Sequence, residues 1–281
     1  MKPRRNVLFL PATNARAAQK ARTLPCDGLI FDLEDSIAPA DKKAARAAAQ
    51  RQLAAVNFAH REVVVRINGL DTAFADDDIA ALGAGDRQPD AVLLPKVEGA
   101  GDIAALRARL DKAGSGAAAI WAMMETPAAI IAAAAIASAG HGLAVMVMGS
   151  NDLAKAMKLP PGDHREALYH ARAAALMAAR AGGIDILDGV YNDIGDTTGF
   201  ADACACAARL GFDGKTVIHP AQVDVARRAF SPGKAAIANA RRIVAAFAEG
   251  GGKGVIAVDG RMIEALHVEE ARRILALAKT S

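Results

Sequence analysis

The stretch AIWAMMETPAAIIAAAAIASAGHGLAVMVMGSND (119–152) decides the fold. Two apolar runs, AIWAMME (119–125) and LAVMVMGSND (143–152), bracket an Ala-rich segment at 128–139, and the runs carry Glu125 and Asp152 at their ends. A buried run, a helical segment and a second buried run make a βαβ unit with parallel strands covered on both faces. The pattern repeats outward in both directions, at VLFLP (7–11), GLIFDLED (28–35), EVVVRIN (62–68), AVLLPK (91–96), IDILD (184–188) and KTVIH (215–219). Helical spacing fills the intervals, most clearly at 39–58, 102–112 and 164–182. Eight such runs predict a closed (β/α)8 TIM barrel, whose reaction site is built at the carboxyl ends of the strands. Asp32, Glu34, Asp35, Arg66, Lys96, Glu125, Asp152, Asp188 and His219 are therefore expected on one rim.

A barrel of this kind takes about 250 residues, and the reading uses residues 1–230 as the catalytic domain. Residues 231–281 remain as a C-terminal segment that opens on SPG (231–233). A helix at about 234–248, the run EGGGKG (249–254), a short apolar piece and a final helix at about 261–279 follow. Helix, glycine hinge and helix after a complete barrel read as a lid or subunit-contact arm. No apolar run approaches the ~20 residues of a membrane span, and MKPRRNVLFLP reads as a first strand rather than a cleaved leader. A net charge of +3, with basic residues scattered among acidic ones, gives no nucleic-acid footprint. Cys26, Cys204 and Cys206 lack metal-ligand spacing and read as reduced thiols in a cytoplasmic setting.

The rim residues carry the chemistry. Neighbouring strands lie about 4.8 Å apart, so Glu125 and Asp152, from successive strands, can reach one ion. Two carboxylates without His or Cys partners suit a hard cation, chiefly Mg2+, with water or substrate oxygens completing its shell. They equally suit partnership with arginine or helix amino ends. Arg66 closes a buried run and cannot shed its charge. It either clamps a substrate oxyanion or pairs with Asp32 or Glu34 across the sheet. Asp32, Glu34 and Asp35 are candidates for orienting Arg66 or holding waters of the ion. Lys96 reads as a partner of Glu98 or of an anionic substrate, and Ser150 and Asn151 as orienting groups. His219, before Pro220, reads more as a loop fastener than as a base. Gly149, Gly189 and Gly214 mark tight βα turns, and none belongs to a nucleotide-binding fingerprint.

RNVLFLP (5–11), DGLIFDLEDSIAPADKKAAR (27–46), VVRIN (64–68), LLPKVE (93–98), MMETPAAI (123–130), GSNDLA (149–154), GFDGKTVIHPAQV (211–223), FSPG (230–233) and VDGRMIEALHVEEARRIL (258–275) occur here in order. Together they resemble the citrate lyase β-subunit-like proteins of the HpcH/HpaI aldolase superfamily, which includes malyl-CoA, β-methylmalyl-CoA and citramalyl-CoA lyases. The resemblance spans nearly the whole chain. It implies a Mg2+-dependent barrel that cleaves or forms a carbon–carbon bond of a short 3-hydroxyacyl-CoA, yielding an acyl-CoA and a 2-oxo acid, in a homo-oligomer (trimer or hexamer). By the same resemblance Glu125 and Asp152 match the metal-binding carboxylates, and Arg66 the arginine at the thioester or enolate oxygen. Arg5, Lys42 and Arg46 match positions facing coenzyme A phosphates. The family's proton-transfer aspartate, carried on the lid and presented by a neighbouring subunit, corresponds to Glu264, since this chain reads MIE where relatives read MID. Asn6, Pro127 and Ala129 also depart from the pattern and are expected to border the ligand pocket. An aldolase acting on a free 4-hydroxy-2-oxo acid and a weakened acyl-CoA-binding paralogue are the alternatives. The lid motif favours CoA chemistry over the first, and retention of Glu125, Asp152 and Arg66 argues against the second.

Overall fold

The computed structural model describes residues 2–55, 61–162, 164–250, 254–258 and 261–279. The strands are β1 (Asn6–Pro11), β2 (Gly28–Asp32), β3 (Glu62–Arg66), β4 (Ala91–Leu94), β5 (Ala119–Met124), β6 (Leu143–Met148), β7 (Asp185–Asp188) and β8 (Gly214–Val217). All pair in parallel and in chain order, and β8 returns to β1 with Val7 opposite Thr216. The expected TIM barrel is what forms. The strands are short, and β2 and β3 are buried at every position, as strands covered on both faces must be. Alternate residues point inward, so Val7, Ile30, Val64, Leu93, Trp121, Met123, Val145, Val147 and Leu187 form one lumen core.

The helices between strands are α1 (Ala15–Ala21), α2 (Lys42–Ala55), α3 (Ala75–Ala84), α4 (Ala100–Lys112), α5 (Pro127–Ile131), α6 (Ala133–Ala137), α7 (Ser150–Ala156), α8 (Tyr169–Ala181) and α9 (Thr197–Leu210), and α10 (Pro220–Ala229) follows β8. Three boundaries differ from the periodicity. The 39–58 segment opens as a 3-10 turn at Pro39–Asp41, because proline supplies a fixed φ but no N–H, and its expected end at 56–58 lies outside the described residues. The 128–139 segment is two helices rather than one. The 164–182 segment becomes helical only at Tyr169. At the other end of α9, Gly211 takes the left-handed conformation (φ 107°) that helix termination favours.

The end of the barrel opposite the strand carboxyl termini is closed by ion pairs. Arg4 donates to Glu62 at 2.6 and 2.9 Å and also pairs with Asp185, while its guanidinium lies over the buried Trp121 ring. Arg5 is 2% exposed and grips Asp27 through Nε and Nη2 at 2.7 and 2.8 Å. Asn6 donates to the Val223 carbonyl and accepts from the Asp27 amide. Cys26 and Cys204 are buried free thiols, and burial pushes both up to about 12. Among the described residues no helix is long and apolar enough to cross a membrane.

Arg4–Ala229 form one compact unit, and the residues from Phe230 onward, with residues 2–3, form a second. The second unit contains α11 (Lys234–Glu249), a hairpin of β9 (Ile256–Val258) and β10 (Arg261–Ile263), and α12 (Ala265–Ala278). Its core gathers Phe247, Ile263 and Val268. The final helix therefore starts four residues later than its spacing predicts, because residues 261–263 pair as a strand. Residues 251–253 of the expected hinge and 259–260 of VDG lie outside the described residues.

Candidate active site

Strand alternation selects which end residues enter the lumen. Asp32, Arg66 and Glu125 each lie two residues beyond an inward residue, respectively Ile30, Val64 and Met123. They open into a cavity of about 420 Å3 at the carboxyl ends of the strands, lined also by Phe9, Gly149 and Asp152.

Arg66 is held on three sides. Its Nε and Nη2 donate to the two oxygens of Asp32 at 2.7 and 2.8 Å, and Nη1 lies 2.6 Å from Glu34 and 3.6 Å from Asp35. The guanidinium stacks over Phe9, its carbon 5.1 Å from the ring centre. Burial opposes the Asp32 charge, but the bonds and charge of Arg66, with Ser36 and the Glu34 amide, outweigh it and hold Asp32 below the usual carboxylate range. Glu34 goes the other way. Burial, with repulsion from Asp35 and Glu125, outweighs the help of Arg66 and Lys96 and raises it to about 7. One guanidinium compensates one buried carboxylate well and a second poorly. The salt-bridge reading of Arg66 is the one the structure shows: two of its N–H groups donate to Asp32, and Glu34 lies within ion-pair distance.

Glu125 follows β5 and is 1% exposed; Asp152 sits in the first turn of α7. Between them lies Lys96, whose Nζ is 2.8 Å from Asp152 and 3.4 Å from Glu125 and whose amide donates to Glu125 at 2.8 Å. Lys96 thus does not pair with Glu98, as its spacing suggested. Its backbone is left-handed (φ 53°), a conformation that costs a non-glycine residue energy. Burial works against the Lys96 ammonium, but Asp152, Glu125 and Glu34 outweigh it and raise its pKa. Burial likewise raises the Glu125 pKa, against the pull of Lys96. Glu125 Oε2 is buried without a hydrogen-bond partner.

Five carboxylates (Asp32, Glu34, Asp35, Glu125, Asp152) therefore meet two cations (Arg66, Lys96), a surplus of three negative charges when all are ionised. A divalent cation fits this arrangement: the donors are hard oxygens, one of them without a partner, and the charge calls for it. Among the described residues no three His, Cys, Asp or Glu side chains cluster as a metal cage, so water or substrate oxygens would complete the shell.

Other expected rim residues lie elsewhere. Asp188 is out of phase with the inward Leu187; it points into the helical layer and pairs with Arg172 and Lys215. His219 Nδ1 accepts from the Ala221 amide at 3.3 Å, fastening the start of α10. Asn151 and Asn192 exchange side-chain hydrogen bonds at the cavity edge. The expected coenzyme A cations are committed to protein contacts. Arg5 lies at the far end of the barrel, as does Asn6, which therefore does not border the pocket. Lys42 is buried and donates to the Leu33 and Glu34 carbonyls and to Asn68, and Arg46 pairs with Asp77 and Asp78. Glu264 precedes α12 in the second unit, where its amide donates to His267. Phe9 and Gly149 are site residues that the sequence reading missed. The inward parity of Phe9 with Val7 was the available signal.

The family model for HpcH/HpaI aldolase/citrate lyase matches residues 5–220. The chain belongs to that family. It is 43% identical over 279 residues to the (3S)-malyl-CoA thioesterase of Cereibacter sphaeroides (strain ATCC 17029 / ATH 2.4.9), covering 99% of this chain and 95% of the relative. It is 33% identical over 286 residues to citrate lyase subunit beta of Escherichia coli (strain K12), covering 99% and 94%. Among solved structures it is similar to the CitE protein of Mycobacterium tuberculosis in complex with magnesium, acetoacetate and coenzyme A. That match has a TM-score of 0.80 and 32% identity, and covers 99% of this chain and 98% of the other. The protein is an enzyme of the carbon–carbon lyase type, related to the citrate lyase β subunit.

Proposed function

We propose that the protein is a Mg2+-dependent lyase of a short 3-hydroxyacyl-CoA such as malyl-, citramalyl- or citryl-CoA, releasing an acyl-CoA and a 2-oxo acid. The observation that carries this is the surplus of carboxylates over cations around Glu125 and Asp152, facing Arg66 in one cavity. Glu125 and Asp152 would hold the metal, which would supply Lewis-acid polarisation of the oxo-acid half. Arg66, its plane set by Asp32 and Phe9, turns its remaining N–H bonds to the thioester oxygen, where charge collects as the carbon–carbon bond breaks. A base removes the β-hydroxyl proton, the bonding pair passes to the thioester enolate, and the enolate carbon then takes up a proton. Glu264 is that base, brought from the C-terminal unit of a neighbouring copy in a homo-oligomer acting in the cytoplasm. Coenzyme A binding that does not rely on Arg5, Lys42 and Arg46 agrees with the contacts those residues already make.

Hydrolysis of the thioester is a second reading, favoured by the 43% identity to a malyl-CoA thioesterase. The same Arg66 and metal would serve it, with water attacking the thioester carbon and thiol leaving. One assay separates the two. Malyl-, citramalyl- and citryl-CoA are incubated with and without Mg2+, and 2-oxo acid and free thiol are measured in the same samples. Lyase action releases oxo acid without thiol; hydrolysis releases thiol without oxo acid. Undiminished oxo-acid release in a chelator, or from Glu125→Gln, would sink the metal assignment. Mixing Glu264→Ala with Glu125→Gln tests the shared site: partial rescue after subunit exchange is expected, and full activity of Glu264→Ala alone removes that residue from the mechanism.

A further inference from the structure

A second cavity of about 400 Å3 lies behind the barrel wall, bounded by β7, β8, α8 and α9. Three charged side chains line it, each nearly sealed from solvent: Arg172 at 2%, Lys215 at 3% and Asp188 at 4% exposed. Asp188 stands between the cations, its Oδ2 2.6 Å from Lys215 Nζ and its Oδ1 accepting from Arg172 Nε at 3.0 Å. Both carboxylate oxygens are thus used, and the buried trio keeps one positive charge in surplus. The surplus is localised. Arg172 Nη1 and Nη2 are buried with no hydrogen-bond partner, while Phe212 covers the guanidinium face 5.4 Å away. At the cavity margin, Asp193 turns Oδ1 to the Gly195 and Asp196 amides.

Leaving two guanidinium NH2 groups buried and unmet is costly, and arginine cannot escape by losing its proton. The Nη1–Nη2 edge is a parallel fork of the kind that takes two oxygens of a carboxylate or phosphate at once. We infer that this cavity is a second ligand site, for a small oxyanion bound end-on by Arg172, distinct from the rim cavity. The two cavities share Ser150, Asn151, Val190 and Asn192 as a common wall. An occupant would therefore sit behind the helix that carries Asp152, without using the rim residues themselves.

The test is calorimetric titration of the full chain in a chelator, so that no metal recruits anions to the rim. One arm uses inorganic phosphate and the other malate, and the tighter arm names the natural class. Stoichiometric binding is expected in at least one arm, weakened about tenfold or more by Arg172→Gln, the scale of losing a charged hydrogen bond, and retained in Arg66→Lys. Ala203→Met, which fills the cavity from α9 without altering charge, should block binding equally and replaces Arg172→Gln if that variant does not fold. Crystals of the unaltered protein soaked in the bound anion should place it against Arg172 Nη1 and Nη2. Absence of binding in both arms up to about 10 mM, weaker than any useful site, overturns the inference. So does binding that survives Arg172→Gln and Ala203→Met but is lost in Arg66→Lys, because the anion then occupies the rim.

Discussion

Replacing Gly149 by alanine deletes no charge and no hydrogen bond, yet it should disable the site. The glycine ends β6 with φ −97°, so its backbone does not require glycine; its neighbours do. A Cβ at this position would stand 2.3 Å from Glu125 Cβ and 2.6 Å from Glu125 Oε2, with Met123 Cε at 3.1 Å. Carbon–carbon contacts settle near 3.5–4.0 Å, so Glu125 must retreat by about 1 Å or more. Because the clash falls on its Cβ, no side-chain rotation relieves it, and the end of β5 has to move. A misplacement of ~1 Å costs about 10²-fold in rate, and disturbing the support of a metal ligand costs about 10–100-fold in affinity. Overpacking itself costs about 1–3 kcal/mol, which a stable barrel survives. Mg2+ titration by calorimetry and 2-oxo-acid release should therefore both fall by these factors in Gly149→Ala while far-UV circular dichroism is unchanged. Wild-type metal affinity together with wild-type kcat in a folded Gly149→Ala protein would refute the assignment of Glu125 and the packing argument alike.

Arg66→Lys keeps the charge but loses the fork that meets Asp32, and kcat should drop roughly 10²-fold; a change confined to Tm would leave Arg66 a brace and nothing more. Glu34 has its pKa raised from 4.5 to about 7, so the folded state holds its proton more tightly than the unfolded chain. In metal-free protein this group's favourable contribution is complete below pH 4.5 and is lost as pH rises through about 7. Glu34→Gln should flatten that decline in chemical denaturation curves across the window, and an identical slope in both proteins would contradict it. Asp188→Asn strands Arg172 and Lys215 as buried cations and should cost about 3–5 kcal/mol in urea unfolding, while Mg2+ affinity stays near wild type. A loss below about 1 kcal/mol would mean the pair is solvated rather than buried.

Much of this was legible in the chain because parallel strands announce themselves as short apolar runs, and a polar residue at such an end is conspicuous. What a run does not reveal is phase. Strands buried on both faces lack the polar–apolar alternation that would mark the lumen side. Asp32, Arg66, Glu125 and Asp188 accordingly looked alike, although the first three face the lumen and the fourth faces the helices. Lys96 escaped for a different reason: its left-handed backbone re-aims a side chain that local spacing assigned to Glu98. Arg5 and Asn6 were placed at the ligand by the family resemblance alone, whereas they stand at the leading end of β1, across the barrel from the rim chemistry.

The latch of Arg4 on Glu62 and Asp185, roofed by Trp121, joins β1 to the starts of β3 and β7 at the closed end of the barrel. Its partners are fixed by strand register, and none belongs to the loops that frame the rim cavity. An engineer therefore has two nearly independent faces to work with. Loop exchange or saturation at the open face samples new acyl groups while the clasp beneath keeps the staves in order. Substitutions at the clasp, by contrast, should alter how long the barrel survives heating without altering what it chooses to bind.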